Sequence, residues 1–336
     1  MTDRYRLIGT NGSPYSMKMR AIMRYRRLPH DWVMRTPAIR AEVADVRPPL
    51  IPILQLPEDG GYHVDSTPLA YMLEERHPGA RSIIPDDPGH AFLGDLIEDM
   101  ADEWGTKAMF HYRWARKVDR DYAARWIVND NQPGLKGEAY DAAVADFTDR
   151  QVGRMALVGC TPQNAPVIEE TYHRVLALLD GHVGLDSYLF GSRPSLADFG
   201  WFGQLKTLAT DPTPAGIMRT SAQRTYDWVR QMDDLSGLEG AWLPADAPLP
   251  AAVTGLLRLA GEIYLPFLAA NAQAAADGAA AFELELLGRA YAQGTFRYQV
   301  KCLDRLRARL RALPEDASGR IKPVLEATGC WTYLAS

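Results

Sequence analysis

Over the first eighty residues the apolar positions change period several times. Tyr5 to Gly9 is a short apolar run that predicts a strand, and Met19, Ile22, Met23 and Leu28 then mark one face of a helix. His30 to Met34 predicts a second strand. Residues 38–49 read as irregular and end in Arg47-Pro48-Pro49, which cannot continue a helix. Ile51 to Leu56 predicts a third strand entered through a proline, Glu58-Asp59-Gly60-Gly61 a hairpin turn, and Tyr62-His63-Val64 a fourth strand. Ser66 then caps a helix through Leu69, Met72 and Leu73 to His77, with Pro68 tolerated in its first turn and Pro78-Gly79 stopping it.

Beyond Asp86-Asp87-Pro88 the strand signals disappear. Phe92, Leu96 and Met100 open a long helical pattern that runs through Trp104 to Trp126 and breaks at the Asn, Pro and Gly residues of 129–137. Further helices are expected at about 138–158, 165–182, 195–209 and 221–233. Ser195 with Asp198 three residues on is a capping box. A Pro- and Ala-rich connector at 240–248 leads to helical stretches at 249–271, 279–312 and 318–328. The middle one carries Val300, Leu303, Leu306, Leu310 and Leu313 on one face. Its other face holds Arg297, Lys301, Arg305, Arg307, Arg309 and Arg311, and a solvated outer surface is the expectation. A helix with an apolar face must bury it. Segment 249–336 is therefore expected to join the helical region in one core and to narrow any pocket there.

Composition changes this picture little. With 336 residues, two or three units are expected, and 47% apolar residues suffice to build their cores. No apolar run is expected to reach membrane-spanning length, and the polar start Met-Thr-Asp-Arg-Tyr-Arg lacks a signal-peptide core. A net charge of -5 offers no general attraction to nucleic acid. Cys160, Cys302 and Cys330 are odd in number and far apart, which fits a reducing, cytoplasmic setting. Glu74/His77 and Glu170/His173 have the spacing of metal-binding helix pairs, but they fall in different units, and no metal is expected.

The chemistry gathers at Gly12-Ser13-Pro14-Tyr15-Ser16, where the first strand turns into the first helix. A serine hydroxyl and unpaired backbone N–H groups at a helix N-terminus stabilise a bound anion. Ser13 also fits a plain helix cap, and Asp65-Ser66 a plain helix start.

Taken together, Ser13-Pro14-Tyr15-Ser16 with Lys18 and Arg20, then Ile51-Pro52 with Leu54, then Asp65-Ser66-Thr67-Pro68, then Ser195-Leu196-Ala197-Asp198-Phe199 resemble the glutathione S-transferase superfamily. The resemblance spans residues 5 to about 235. It implies a thioredoxin-like glutathione-binding domain at 1–80 and an all-helical domain at 88–336. Within the latter, 88–235 is the transferase-like core and 249–336 a helical extension packed on it.

By resemblance, Ser13 donates to the glutathione sulfur and favours its thiolate, with Tyr5 and Tyr15 as alternatives. Pro52 is implied to be the cis-proline of the fold, with Ile51 pairing its backbone with the cysteinyl unit. Ser66 would receive the γ-glutamyl carboxylate and Asp65 its ammonium. The implied partners are glutathione as co-substrate, a small electrophilic or hydrophobic second substrate, and a second copy of the chain. That homodimer would form near helices 66–77 and 88–118. The alternative is a transferase-like protein without catalysis that uses the extension for partner contacts.

Overall fold

The computed structural model describes residues 4–79, 81–184 and 186–335. Strands β1 (Tyr5–Gly9), β2 (His30–Met34), β3 (Ile53–Gln55) and β4 (Tyr62–Val64) form one sheet in the order β2-β1-β3-β4. Parallel β1 and β2 need a crossover, and α1 (Pro14–Tyr25) supplies it. Leu7 stands opposite Trp32 on one side and Leu54 on the other. Alternation then decides the faces: Leu7 and Leu54 enter the main core, while Ile8 and Ile53 join Val43 in a smaller cluster behind the sheet.

Two local expectations in this region are corrected. Residues 38–49 are not wholly irregular, because α2 (Pro37–Glu42) forms there. Thr36 caps it by accepting from the Ile39 N–H at 3.5 Å, and Pro37 opens it, but it buries no residue and so leaves no apolar period to read. Ser66 is not the cap of α3 (Ser66–Arg76) but its first residue; Asp65 takes the cap position with φ 78° and no side-chain cap bond.

The long helix predicted from Phe92 to Trp126 is three. α4 (Pro88–Met100) passes through a π-helical turn at Ala101–Gly105 into α5 (Thr106–Ala115), and α6 (Lys117–Asn131) follows an extended Arg116. Arg116 leaves the helical path and places its guanidinium 2.6 Å from Glu169. Next come α7 (Gly137–Val152), α8 (Ala165–Asp180), α9 (Leu196–Leu208), α10 (Pro212–Ser221) and α11 (Gln223–Gln231). The capping box that opens α9 is present, with the Ser195 N–H donating to Asp198 Oδ2 at 2.8 Å. α9 is buried nearly all round and packs against α1. A Cβ at Gly203 would meet the Pro14 carbonyl oxygen at 2.6 Å, so glycine lets α9 press on the start of α1.

The connector is pinned, with the Leu243 N–H donating to the Phe190 carbonyl at 2.8 Å and the Ser192 N–H to that of Ala241 at 3.0 Å. After it, α12 (Ala251–Leu259), a second π-helical turn and α13 (Leu265–Ala276) make one continuous helix. Contrary to the sequence expectation, Ala251–Ala276 is long and apolar enough to cross a membrane, but 67% of its most apolar window lies inside the protein.

The expected helix over 279–312 is also corrected. Its first part is a hairpin of β5 (Ala281–Leu286) and β6 (Arg289–Gly294), and only α14 (Arg297–Arg311) is helical. Phe282, Leu284 and Leu286 alternate with Glu283 and Glu285, and Leu287-Gly288 turns with both φ positive (53° and 69°), the two-residue turn that matches strand twist. Tyr291 on β6 packs on Trp104 at 5.4 Å and Phe267 at 6.0 Å. α15 (Glu315–Ala327) and α16 (Trp331–Leu334) close the chain.

One cluster of buried apolar side chains runs from Leu7 and Leu54 through Trp104 and Phe199 to Leu303, Leu306 and Leu325. The basic face of α14 is not simply solvated. Arg305 pairs with buried Asp99, and Arg309 lies 2.7 Å from Asp95 and over the ring of Tyr71. α14 and α15 thus occupy the outer side of α4, the neighbourhood in which the resemblance puts a two-fold contact.

Candidate functional site

A cavity of about 560 Å³ opens between the sheet domain and the helices. Its first wall is the β1–α1 loop and the start of α1, with Thr10, Gly12, Ser13, Pro14 and Tyr15; Pro49, Leu50 and Ile51 stand beside it. The opposite wall is apolar and aromatic: Met109, Phe110 and Trp114 of α5, Ile127 of α6 and Phe147 of α7. Arg35, Arg40, Arg113, Arg150 and Arg154 add a basic lining.

Ser13 sits where the chain enters α1 with extended backbone (φ -99°, ψ 119°). Its Oγ accepts from the Ser16 N–H at 3.2 Å, so it is a helix cap. It also lines the cavity, and a hydroxyl that accepts one bond retains a proton to donate. The Ile51–Pro52 peptide bond is cis, as the resemblance implies, and Ile51 lies on the cavity edge.

The loop is held from the helical side by Arg113. Its NH1 donates to the Gly12 carbonyl at 2.8 Å, NH2 to that of Thr207 at 3.3 Å, and Nε to buried Asp211 at 2.6 Å. Nothing in the local sequence signalled this positioning residue, because all three partners lie about a hundred residues away.

The remaining expected site residues lie elsewhere. Asp65 Oδ2 accepts from the Tyr298 hydroxyl of α14 at 3.0 Å, and Ser66 is buried, its Oγ 3.4 Å from Lys18 Nζ and 3.3 Å from Asp102 Oδ2. Lys18 pairs with Glu98 and, at 2.7 Å, with Asp102. Burial opposes its charge, but the two carboxylates outweigh that and hold its pKa above the ordinary lysine value. Burial, with Glu98 adjacent, raises Asp102 to about 7 against the pull of Lys18. Neither Asp65 nor Ser66, nor Pro52, belongs to the cavity lining.

Of the alternatives to Ser13, Tyr5 is buried with its hydroxyl 2.8 Å from His77 Nε2, outside the lining. Tyr15 lines the cavity, but its hydroxyl donates to the Asp102 carbonyl at 2.9 Å. Burial, with Glu103 and Asp102 nearby, pushes the Tyr15 pKa well above the ordinary phenol value.

Among the described residues none beyond Arg154 lines the cavity, so the described part of the extension does not narrow it; α14 packs instead over α4 and the start of α3. Among the described residues no group of His, Cys, Asp and Glu is placed to hold a metal ion. Glu74 pairs with Arg26 at 2.7 Å, well apart in role from any ligand set.

Residues 7–81 match the family model described as the glutathione S-transferase N-terminal domain. No curated protein matches the chain. Among solved structures, it is similar to a glutathione S-transferase of Methylobacterium radiotolerans in complex with glutathione sulfonate, at 19% identity and TM-score 0.40 over 68% of this chain and 88% of that one. Beta-etherase LigF of Sphingobium is similar at 17% identity and TM-score 0.47, over 68% and 94%. A glutathione S-transferase of Rhodospirillum rubrum is similar at 17% identity and TM-score 0.41, over 75% and 99%.

Proposed function

We propose that this chain, whose residues 7–81 match the glutathione S-transferase N-terminal domain, binds glutathione at Ser13 and Ile51 and joins its sulfur to a small electrophile held against α5 and α7. The observation that carries this reading is the placing of Ser13. It caps the N-terminus of α1, and the residue lines a cavity that Phe110, Trp114 and Phe147 also line.

A donated hydrogen bond and the positive end of α1 both favour a thiolate over a thiol. The thiolate is the nucleophile, and the apolar wall offers an electrophile a place to desolvate. The reaction class is nucleophilic addition, substitution or thiol-assisted isomerisation. Serine at position 13 disfavours reductase chemistry, which needs a protein thiol to form the mixed disulfide. The three free, buried cysteines support work in the cytoplasm, where glutathione stays reduced.

Isothermal titration with reduced glutathione tests the reading, followed by the thiolate absorbance of the bound tripeptide against pH. Millimolar or tighter binding is expected, with Ser13→Ala raising the bound thiol pKa by about one unit. Absence of binding at physiological glutathione would remove the proposal.

A second reading has its own observation. Asp65 is bonded to Tyr298, and Ser66 to Lys18 and Asp102, so the residues expected to receive the γ-glutamyl end already have partners. A non-catalytic module whose extension serves partner contacts accounts for this directly. It predicts that Ser13→Ala leaves every measurable function intact.

A further inference from the structure

Four of the cavity's arginines carry more positive charge than their surroundings neutralise. Arg35 and Arg40 come from the sheet domain; Arg150, on α7, and Arg154, just past its end, come from the other wall. Among the described residues no ion pair joins any of the four to a carboxylate. Asp146 lines an adjoining hollow of about 250 Å³ with Arg40 and Arg150, yet pairs with neither. Arg35 Nε is buried without a hydrogen-bond partner.

Three of the guanidiniums, those of Arg35, Arg40 and Arg150, also stand close enough to repel one another. Burial and then the charge of Arg40 lower the pKa of Arg35, and burial and then Arg150 lower that of Arg40. Like charges gathered without a counterion are costly in a free protein and are relieved by a bound anion. Arg150 is held in place, its guanidinium 5.1 Å from the ring centre of Phe147, which lines the same cavity. Basic groups therefore rim an aromatic floor.

On the transferase reading, glutathione would bring its one glycyl carboxylate into a cavity where Arg35 and Arg40 stand on the sheet-domain side with Ile51, and those two would suffice to meet it. That leaves Arg150 and Arg154 over the aromatic wall. We infer that the second substrate is itself anionic: a ring-bearing electrophile with a carboxylate, its ring against Trp114 and Phe147 and its carboxylate on Arg150 and Arg154. Planar guanidinium groups suit a carboxylate because they donate in pairs.

This rests on the transferase reading above. The step balances with an aryl chloride as the model electrophile. The thiol proton passes to solvent, the thiolate sulfur forms a bond to the ring carbon, and the carbon–chlorine bond breaks. Chloride leaves with the bonding pair.

The test compares a chlorodinitrobenzoate with the corresponding neutral benzamide, which has nearly the same shape. Binding is followed by quenching of tryptophan fluorescence, so the result does not depend on turnover. Titrations are run in the absence and presence of saturating S-methylglutathione, which fills the glutathione site without reacting. The benzoate is expected to bind about tenfold or more tightly than the amide, and added salt should weaken that advantage. Arg150→Ala/Arg154→Ala should abolish the preference, and Arg150→Glu/Arg154→Glu should invert it. Both side chains are exposed, and circular dichroism checks that each variant folds.

Equal binding of the two probes overturns the inference, as does a preference that survives the double alanine variant. A preference that vanishes once S-methylglutathione is bound also overturns it, because all four arginines would then read the tripeptide. Calorimetry with glutathione separates the two claims. No glutathione binding alongside an intact, arginine-dependent benzoate preference supports the anion site and removes the transferase reading.

Discussion

Leu306 lies at the centre of α14 and is fully buried, in the same apolar cluster as Leu7 and Phe199. Cutting it to alanine removes three carbons from a packed position and leaves a space that neighbouring helices only partly fill. Leu→Ala changes at such sites cost about 2–5 kcal/mol, and with 0% exposure the middle of that range, about 3 kcal/mol, is the expectation. For a chain of this size each kcal/mol moves the melting temperature by about 2 °C, giving a fall of about 6 °C. The informative part is which transition moves. If the extension and the helical domain share one core, calorimetry shows a single transition. Leu306→Ala and Leu205→Ala, the latter a fully buried residue of α9, should then lower it together. Two transitions, each moved by only one of the substitutions, would refute a shared core and make 249–336 a tethered unit.

Tyr298→Phe removes the donor to Asp65 and is expected to tighten glutathione binding several-fold, by freeing that carboxylate for an ammonium group; unchanged or weaker binding in calorimetry contradicts this. Burial raises Asp95 to about 7 despite Arg309, far above its unfolded value near 3.8. The folded state therefore holds its proton over that window. The stability this gives is complete below about pH 4 and is lost as the pH rises to about 7. The melting temperature of the wild type relative to Asp95→Asn should fall across that range, and a flat difference would contradict the assignment. Light scattering at micromolar concentration is expected to give the monomer mass, because α14 and α15 occupy the outer side of α4; a dimer mass would place the subunit contact on another face.

Local signals carried the sheet domain. Tyr5–Gly9, His30–Met34 and Tyr62–Val64 have the boundaries that apolar runs and turn residues predicted, and the cis bond at Pro52 stands where the resemblance put it. Helix α2 escaped because Thr36 and Pro37 start it while nothing in it is buried, so a period-based search had nothing to find. The β5–β6 hairpin escaped for the opposite reason. Its alternation of Phe282, Leu284 and Leu286 with two glutamates was legible, but the alanines before it and the helix after it drew the segment into one pattern.

At the site, Ser13 and Ile51 reach the cavity, as their loop and cis-proline context implied. The partners of Asp65 and Ser66 were not legible, since Tyr298 and Asp102 are brought to them only by tertiary packing. Arg150 and Arg154 had a signal, two arginines four apart at the end of an otherwise acidic helix. Spacing alone could not say that Arg35 and Arg40 would meet them from another domain.

Arg305 and Arg309 reach the acids of α4 from within the same chain. A contact between two subunits forms and dissolves with protein concentration, whereas a tethered helix is always present at its own high local concentration. Dilution, which would strip a partner subunit from such a carboxylate row, leaves this cover in place. Arg305 and Arg309 therefore stay beside Asp99 and Asp95 however scarce the protein becomes.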